Sequence, residues 1–120
     1  MTTEEMKKRT KRFGIAVIEL CALLPDSLVA QVIGKQLLKS GTSVGANYRA
    51  ACRAKSKADF ISKLGIVEEE TDESAYWLEV LTEAGILPAG ATEGLIKEAN
   101  EILSIVVSSI KTAKDKDPEK

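Results

Sequence analysis

The sequence predicts an all-α protein, an antiparallel up-down-up-down four-helix bundle, on three observations. Its apolar mass is mostly Ala, Leu, Ile and Val with only 4% aromatics, which favours helix packing over a sandwich of aromatic, β-branched strands. The apolar positions recur at alternating spacings of 4 and 3 through long segments. The breaks in that phase coincide with Pro25, Gly85 and Pro88. A chain of 120 residues makes one domain, read as a bundle over residues 1–114 with a frayed polar tail at 115–120.

The first helix is expected over about residues 4–24. Phe13, Val17, Leu20 and Leu24 fall on one stripe that Ala16 and Leu23 widen, and Pro25-Asp26-Ser27 ends it. Asp26 or Ser27 can cap the second helix, expected over about 28–54, by accepting its free N–H groups. There Ile33, Leu37, Ser40, Val44, Asn47 and Ala51 repeat in phase. Gly41 and Gly45 each cost roughly 1 kcal/mol against alanine in a helix. They mark either a break near Gly41 or a continuous helix that a neighbour approaches closely. The undisturbed phase favours continuity.

The third helix is expected over about 57–85. Ser56-Lys57-Ala58-Asp59 has the form of a capping box, with Asp where Glu is commoner. Phe60, Leu64, Val67, Thr71, Ser74, Leu78 and Leu81 then step through the segment without a miss. Gly85 supplies the stop, and Pro88-Ala89-Gly90 reads as the turn. The fourth helix is expected over about 93–112, with Leu95, Ala99, Ile102, Val106, Ser109 and Ala113 in phase.

Ser40, Asn47, Thr71 and Ser74 form a polar layer on the seams of the second and third helices. If the turn makes these helices antiparallel, Ser40 faces Thr71 and Asn47 lies beside Leu64, with Asn47 hydrogen-bonded between helices. Such groups fix register. The helices also carry more apolar residues than one small core can hide, among them Ile15, Ile18 and Ile66. Tyr76, Trp77, Ile96 and Val107 are the candidate interface of a homo-oligomer.

Catalysis finds little support in the residues. Histidine is absent, which removes His-based triads, Cys–His dyads and the Glu-x-x-His pairs of di-iron bundles. Glu68, Glu69, Glu70, Asp72 and Glu73 make an acidic run that reads as a solvated face, with a carboxylate magnesium site the alternative. Gly41 and Gly45 fit no phosphate-loop pattern. The expectation is no enzyme, no cofactor, no metal and no small-molecule substrate. Cys21 and Cys52 stand in no redox or metal spacing, and no stretch has the length of a membrane span. A cytoplasmic protein without membrane contact is expected.

Charge is more telling. Residues 1–63 hold 12 Lys and Arg against 5 Asp and Glu, a balance of +7, whereas residues 64–120 hold 5 against 13, a balance of −8. An up-and-down bundle gathers Lys7, Lys8, Arg9, Lys11 and Arg12 at one pole with Arg49, Arg53 and Lys57. Asp26, Glu79, Glu83, Glu93 and Glu98 go to the other. Helix dipoles favour cations at the end of the second helix, but not Lys7 to Arg12 at the start of the first. These eight cations are candidates for holding nucleic-acid phosphates, with Arg49, Arg53 and Lys57 able instead to pair with Asp59.

A further set of residues points to a family. The runs Leu24-Pro25, Leu37-Leu38-Lys39-Ser40-Gly41-Thr42-Ser43-Val44-Gly45-Ala46-Asn47-Tyr48-Arg49-Ala50 and Lys57-Ala58-Asp59-Phe60 resemble the 23S rRNA intervening-sequence protein family. Glu68 to Glu70, Tyr76-Trp77-Leu78-Glu79 and Gly85-Ile86-Leu87 extend the resemblance over nearly the whole chain. The resemblance implies a small bacterial four-helix bundle assembling into a pentameric ring. The accessory variability determinant of diversity-generating retroelements is similar in fold and works with a reverse transcriptase and nucleic acid. The resulting expectation is an oligomeric, non-enzymatic protein that holds RNA, a ribonucleoprotein or a nucleic-acid-processing protein at its basic pole. The alternative is a protein-only adaptor or scaffold using the acidic third helix.

Overall fold

The computed structural model describes residues 1–116 and forms them into four helices: α1 (Thr3–Cys21), α2 (Leu28–Ala51), α3 (Lys57–Glu83) and α4 (Ala89–Asp115). The first three begin at hydroxyl caps. Thr2 Oγ1 accepts from the Glu5 amide at 3.1 Å, Ser27 Oγ from Ala30 at 3.2 Å and Ser56 Oγ from Asp59 at 3.0 Å. Asp59 completes its box one residue early, accepting from the Lys55 amide at 3.2 Å, and also binds Lys63 Nζ at 2.7 Å. At the far end of α3, Gly85 takes φ +74, and the Gly85 and Ile86 amides turn back to the Thr82 and Leu81 carbonyls.

The helix ends differ from the expected ones at several points. The first helix stops at Cys21 rather than near residue 24, because the Leu23 and Leu24 amides bond three residues back and tighten the chain toward Pro25. The second stops at Ala51, where the Arg53 and Ala54 amides do the same. The fourth begins at Ala89 rather than 93, with extended Pro88 as its cap residue, and continues to Asp115 rather than 112. A proline just ahead of a helix leaves no amide to satisfy, so Pro88-Ala89-Gly90 is a helix start, not a turn. Asp115 and Lys116 are therefore a helix end rather than part of a frayed tail, and 117–120 lie outside the described residues.

The helices form a square in which α1 packs beside α2 and α4, α3 packs beside α2 and α4, and no close backbone approach spans a diagonal. The bundle measures 52 × 22 × 20 Å. Phe13, Val17, Leu37, Val44, Leu64, Leu78 and Ile102 are buried at its centre. α2 runs unbroken through both glycines, and α1 explains why they are there. A Cβ on Gly41 would lie 2.8 Å from the Val17 methyls, and one on Gly45 3.2 Å from the Thr10 backbone. Gly14 faces the Gly41 carbonyl from the other side. The helix-propensity cost at these positions is offset by a close backbone approach of α1 and α2.

The polar layer sits one turn away from its expected register. Ser40 pairs with Ser74, hydroxyl to hydroxyl at 2.9 Å, and not with Thr71. Thr71 is buried but donates to the Val67 carbonyl of its own helix. A slide of one turn keeps the same face buried, so periodicity alone does not distinguish the two registers. Asn47 departs further from expectation. It is half-buried, and its Nδ2 donates to the Ser43 carbonyl at 2.9 Å, within α2 rather than between helices.

Candidate nucleic-acid interface

One end of the bundle carries the start of α1, the α2–α3 turn and the end of α4. There the outer surfaces of α1 and α2 enclose a groove of about 480 Å³. Its cations are Lys7, Lys8 and Lys11 from α1, Arg49 from α2 and Arg53 from the turn just beyond α2. Gly14, Gly45 and Ala46 keep it open, because the close helix approach places almost no side-chain bulk there. Ile15 and Ile18 line its inner reach, each 49% exposed. Lys7 also reaches Glu4, at 3.2 Å on an exposed surface where such a pair is worth little.

The remaining candidate cations lie elsewhere. Arg9 is turned to α4, where its guanidinium meets Glu98 at 2.6 Å and Glu101 at 2.9 Å. The bond to Glu98 raises the Arg9 pKa further above its ordinary range, against the desolvation of a half-buried site. Arg9 is thus engaged as an internal fastener between α1 and α4, away from the groove. Glu98 accordingly does not belong to the opposite, acidic pole: antiparallel packing brings it level with Arg9. Arg12 is exposed and outside the groove, and Lys57 lines a separate depression between α3 and α4 with Phe60 and Lys116. Among the described residues, Asp59 pairs with Lys63 rather than with Arg49, Arg53 or Lys57. Lys63, then Lys55, hold its carboxyl below the usual range.

A second, smaller groove runs between α2 and α3. Arg49 and Arg53 line it too, and Lys55 and Lys63, which the charge pattern also assigns to this pole, join them. Nearby, burial and then Cys52 push Tyr48 up to about 12, so its phenol stays neutral at this basic end.

The structure's neighbours agree with this architecture. The family model of the 23S rRNA-intervening sequence protein matches residues 3–108. The chain belongs to this family. A member of the S23 ribosomal protein family from Bacteroides thetaiotaomicron VPI-5482, a crystal structure described as of unknown function, is similar at 36% identity. The match has a TM-score of 0.85 and covers 92% of this chain and 99% of that one. Among curated proteins none matches. Within the family fold, the expected oligomer residues all reach the surface of α3 and α4. Tyr76 and Val107 are 57% and 45% exposed, while Trp77 and Ile96 are half-buried. Tyr76 stands edge-on to Trp77 with ring centroids 5.0 Å apart, and Trp77 Nε1 donates to Glu73 at 3.2 Å. No helix among the described residues is long and apolar enough to cross a membrane.

Proposed function

We propose that this family member is a non-enzymatic binding protein that holds RNA at the basic end of its bundle. The observation that carries the reading is the α1–α2 groove, where cations some forty residues apart in sequence gather over a floor of glycine and alanine. Phosphates gain from such a cluster by releasing counterions, even though the whole chain has a net charge of −1. The partner is RNA itself or a ribonucleoprotein, and the setting is the cytoplasm.

Self-association is part of the proposal. Tyr76 of α3 and Val107 of α4 are exposed and belong to helices that the α1–α2 groove does not use, so an interface built on them leaves the groove open. The pentameric ring implied by the family resemblance would repeat the groove around the assembly. A protein-only scaffold is the second reading, favoured by the Tyr76–Trp77 pair beside the exposed Glu69 and Glu73.

Binding of total cellular RNA at two salt concentrations tests the main reading. Affinity should fall steeply with salt, by a slope of about −0.7 per phosphate contacted on single strands. The variant Lys7→Ala, Lys8→Ala, Lys11→Ala should bind at least about tenfold more weakly with helicity unchanged. Unaltered affinity in that variant, or no binding by the parent at low salt, turns the assignment to the protein scaffold.

A further inference from the structure

The two grooves are not independent sites. Ala46 and Arg49, near the end of α2, and Arg53, in the turn just after it, line both of them. They form a ridge with Lys7, Lys8 and Lys11 on its α1 side and Lys55 and Lys63 on its α3 side. Asp59 is the carboxylate on this path, and Lys63 covers it at 2.7 Å. From α1 across α2 to α3 the cations therefore run around the bundle, transverse to its 52 Å long axis.

We infer that the nucleic acid held here is single-stranded, and that it crosses over α2 from the first groove into the second with Arg49 and Arg53 gripping it at the crest. The inference rests on the RNA-binding reading and adds the strandedness and the path. Neighbouring helix axes stand about 8–10 Å apart, so each groove admits one sugar–phosphate chain. A helix with its side chains is only about 10–12 Å across, and following both sides of it demands a sharp bend. A single strand makes that bend freely. A duplex is stiff, with a persistence length of about 150 bp for DNA, and it meets the rim of one groove at a time. The small side chains of Ala46 and of Ala50, which lines the second groove, leave the crest low enough for the strand to pass.

The test compares a labelled single strand of about 16 nucleotides with the same sequence as a duplex, on the intact protein. Three charge reversals accompany the parent: Lys11→Glu in the first groove, Lys55→Glu in the second and Arg12→Glu outside both. Lys11, Lys55 and Arg12 are all exposed, so the fold does not depend on them. Near physiological salt the Debye length of about 8 Å confines each reversal to its own surroundings. The strand should bind at least about tenfold tighter than the duplex, and Lys11→Glu and Lys55→Glu should each weaken it about tenfold, Arg12→Glu less than about threefold. Equal affinity for the duplex, or a Lys55→Glu variant that binds like the parent, overturns the crossing path and leaves RNA binding standing. Equal losses from all three reversals also overturn it, because bulk charge then explains the binding. Failure of the parent to bind either form at about 50 mM salt removes the RNA-binding reading itself.

Discussion

Ser40 and Ser74 illustrate how little a buried polar pair needs to hold a register. Each hydroxyl also has a carbonyl in its own helix within reach, Leu37 for Ser40 and Glu70 for Ser74. Loss of one partner therefore leaves no orphan, and Ser74→Ala should cost about 0.5–1.5 kcal/mol, with the double alanine variant close to the single one. A double-mutant cycle by chemical denaturation measures this. Asn47→Ala is expected to be milder still. Its amide bonds only within α2, and alanine's better helix propensity offsets that loss, so the denaturant midpoint should move by less than about 0.5 kcal/mol in stability. Burial and the nearby Glu73 raise the pKa of Glu70, while Lys39 opposes them. Folded Glu70 thus holds its proton more tightly than the unfolded chain does, and its contribution is full in acid and lost as pH rises through the raised value. Glu70→Gln should stabilise the protein at neutral pH, by up to about 0.5 kcal/mol, with the gain vanishing below the usual carboxylate range. The presence of a polar layer was legible from the phase of Ser40, Thr71 and Ser74, but the partner of each was not. One turn of sliding exchanges partners without moving any of them off the seam.

At the level of the helices, glycines divide by what stands opposite them. Gly41 faces Val17 at a distance no Cβ can share, so Gly41→Ala should cost about 1–3 kcal/mol through displaced packing. Gly65, within α3, meets nothing within 4 Å, and Gly65→Ala should gain about 0.5–1 kcal/mol by lowering the entropy of the unfolded chain. Thermal or denaturant unfolding of the two variants gives opposite signs if the approach of α1 to α2 is as close as described. The sequence made Gly41 and Gly45 conspicuous and suggested a close neighbour for α2, while which helix that was depended on topology. Helix starts with a hydroxyl cap were readable from Ser27 and Ser56. The start of α4 was not, since Pro88 brings no side-chain hydrogen bond and Gly90 resembles a turn residue.

For the molecule as a whole, the concentration of cations at one end was legible from the charge balance of the two halves of the chain. Membership of that cluster was not, because Arg9 is indistinguishable in sequence from Lys8 and Lys11. Its rotation about α1 points it at two carboxylates three residues apart on α4. Arg9→Ala should lower stability by about 1–2 kcal/mol while leaving RNA affinity unchanged, and Arg9→Lys should recover only part of that loss, lacking the planar fork. Measuring unfolding and RNA binding on the same samples separates the fastener from the ligands. Sedimentation equilibrium at micromolar concentration tests the proposed self-association, which a stable monomer would exclude.

The fastener has a further consequence, for the order in which the molecule comes apart. The backbones of α1 and α4 approach each other less closely than those of any other neighbouring pair, and Arg9 bridges that seam to carboxylates 89 and 92 positions away in the chain. From Thr10 onward the backbone of the helix lies close against α2; before it, the buried Met6 side chain and the grip of Arg9 on α4 are the restraints. Amide protons of the first turns of α1 should therefore exchange with solvent through a local opening well below the global unfolding energy, while those around Val17 await unfolding of the whole bundle. The Lys7 and Lys8 ammonium groups ride on the segment that opens, so a bound strand would slow exchange there more than anywhere else in the protein.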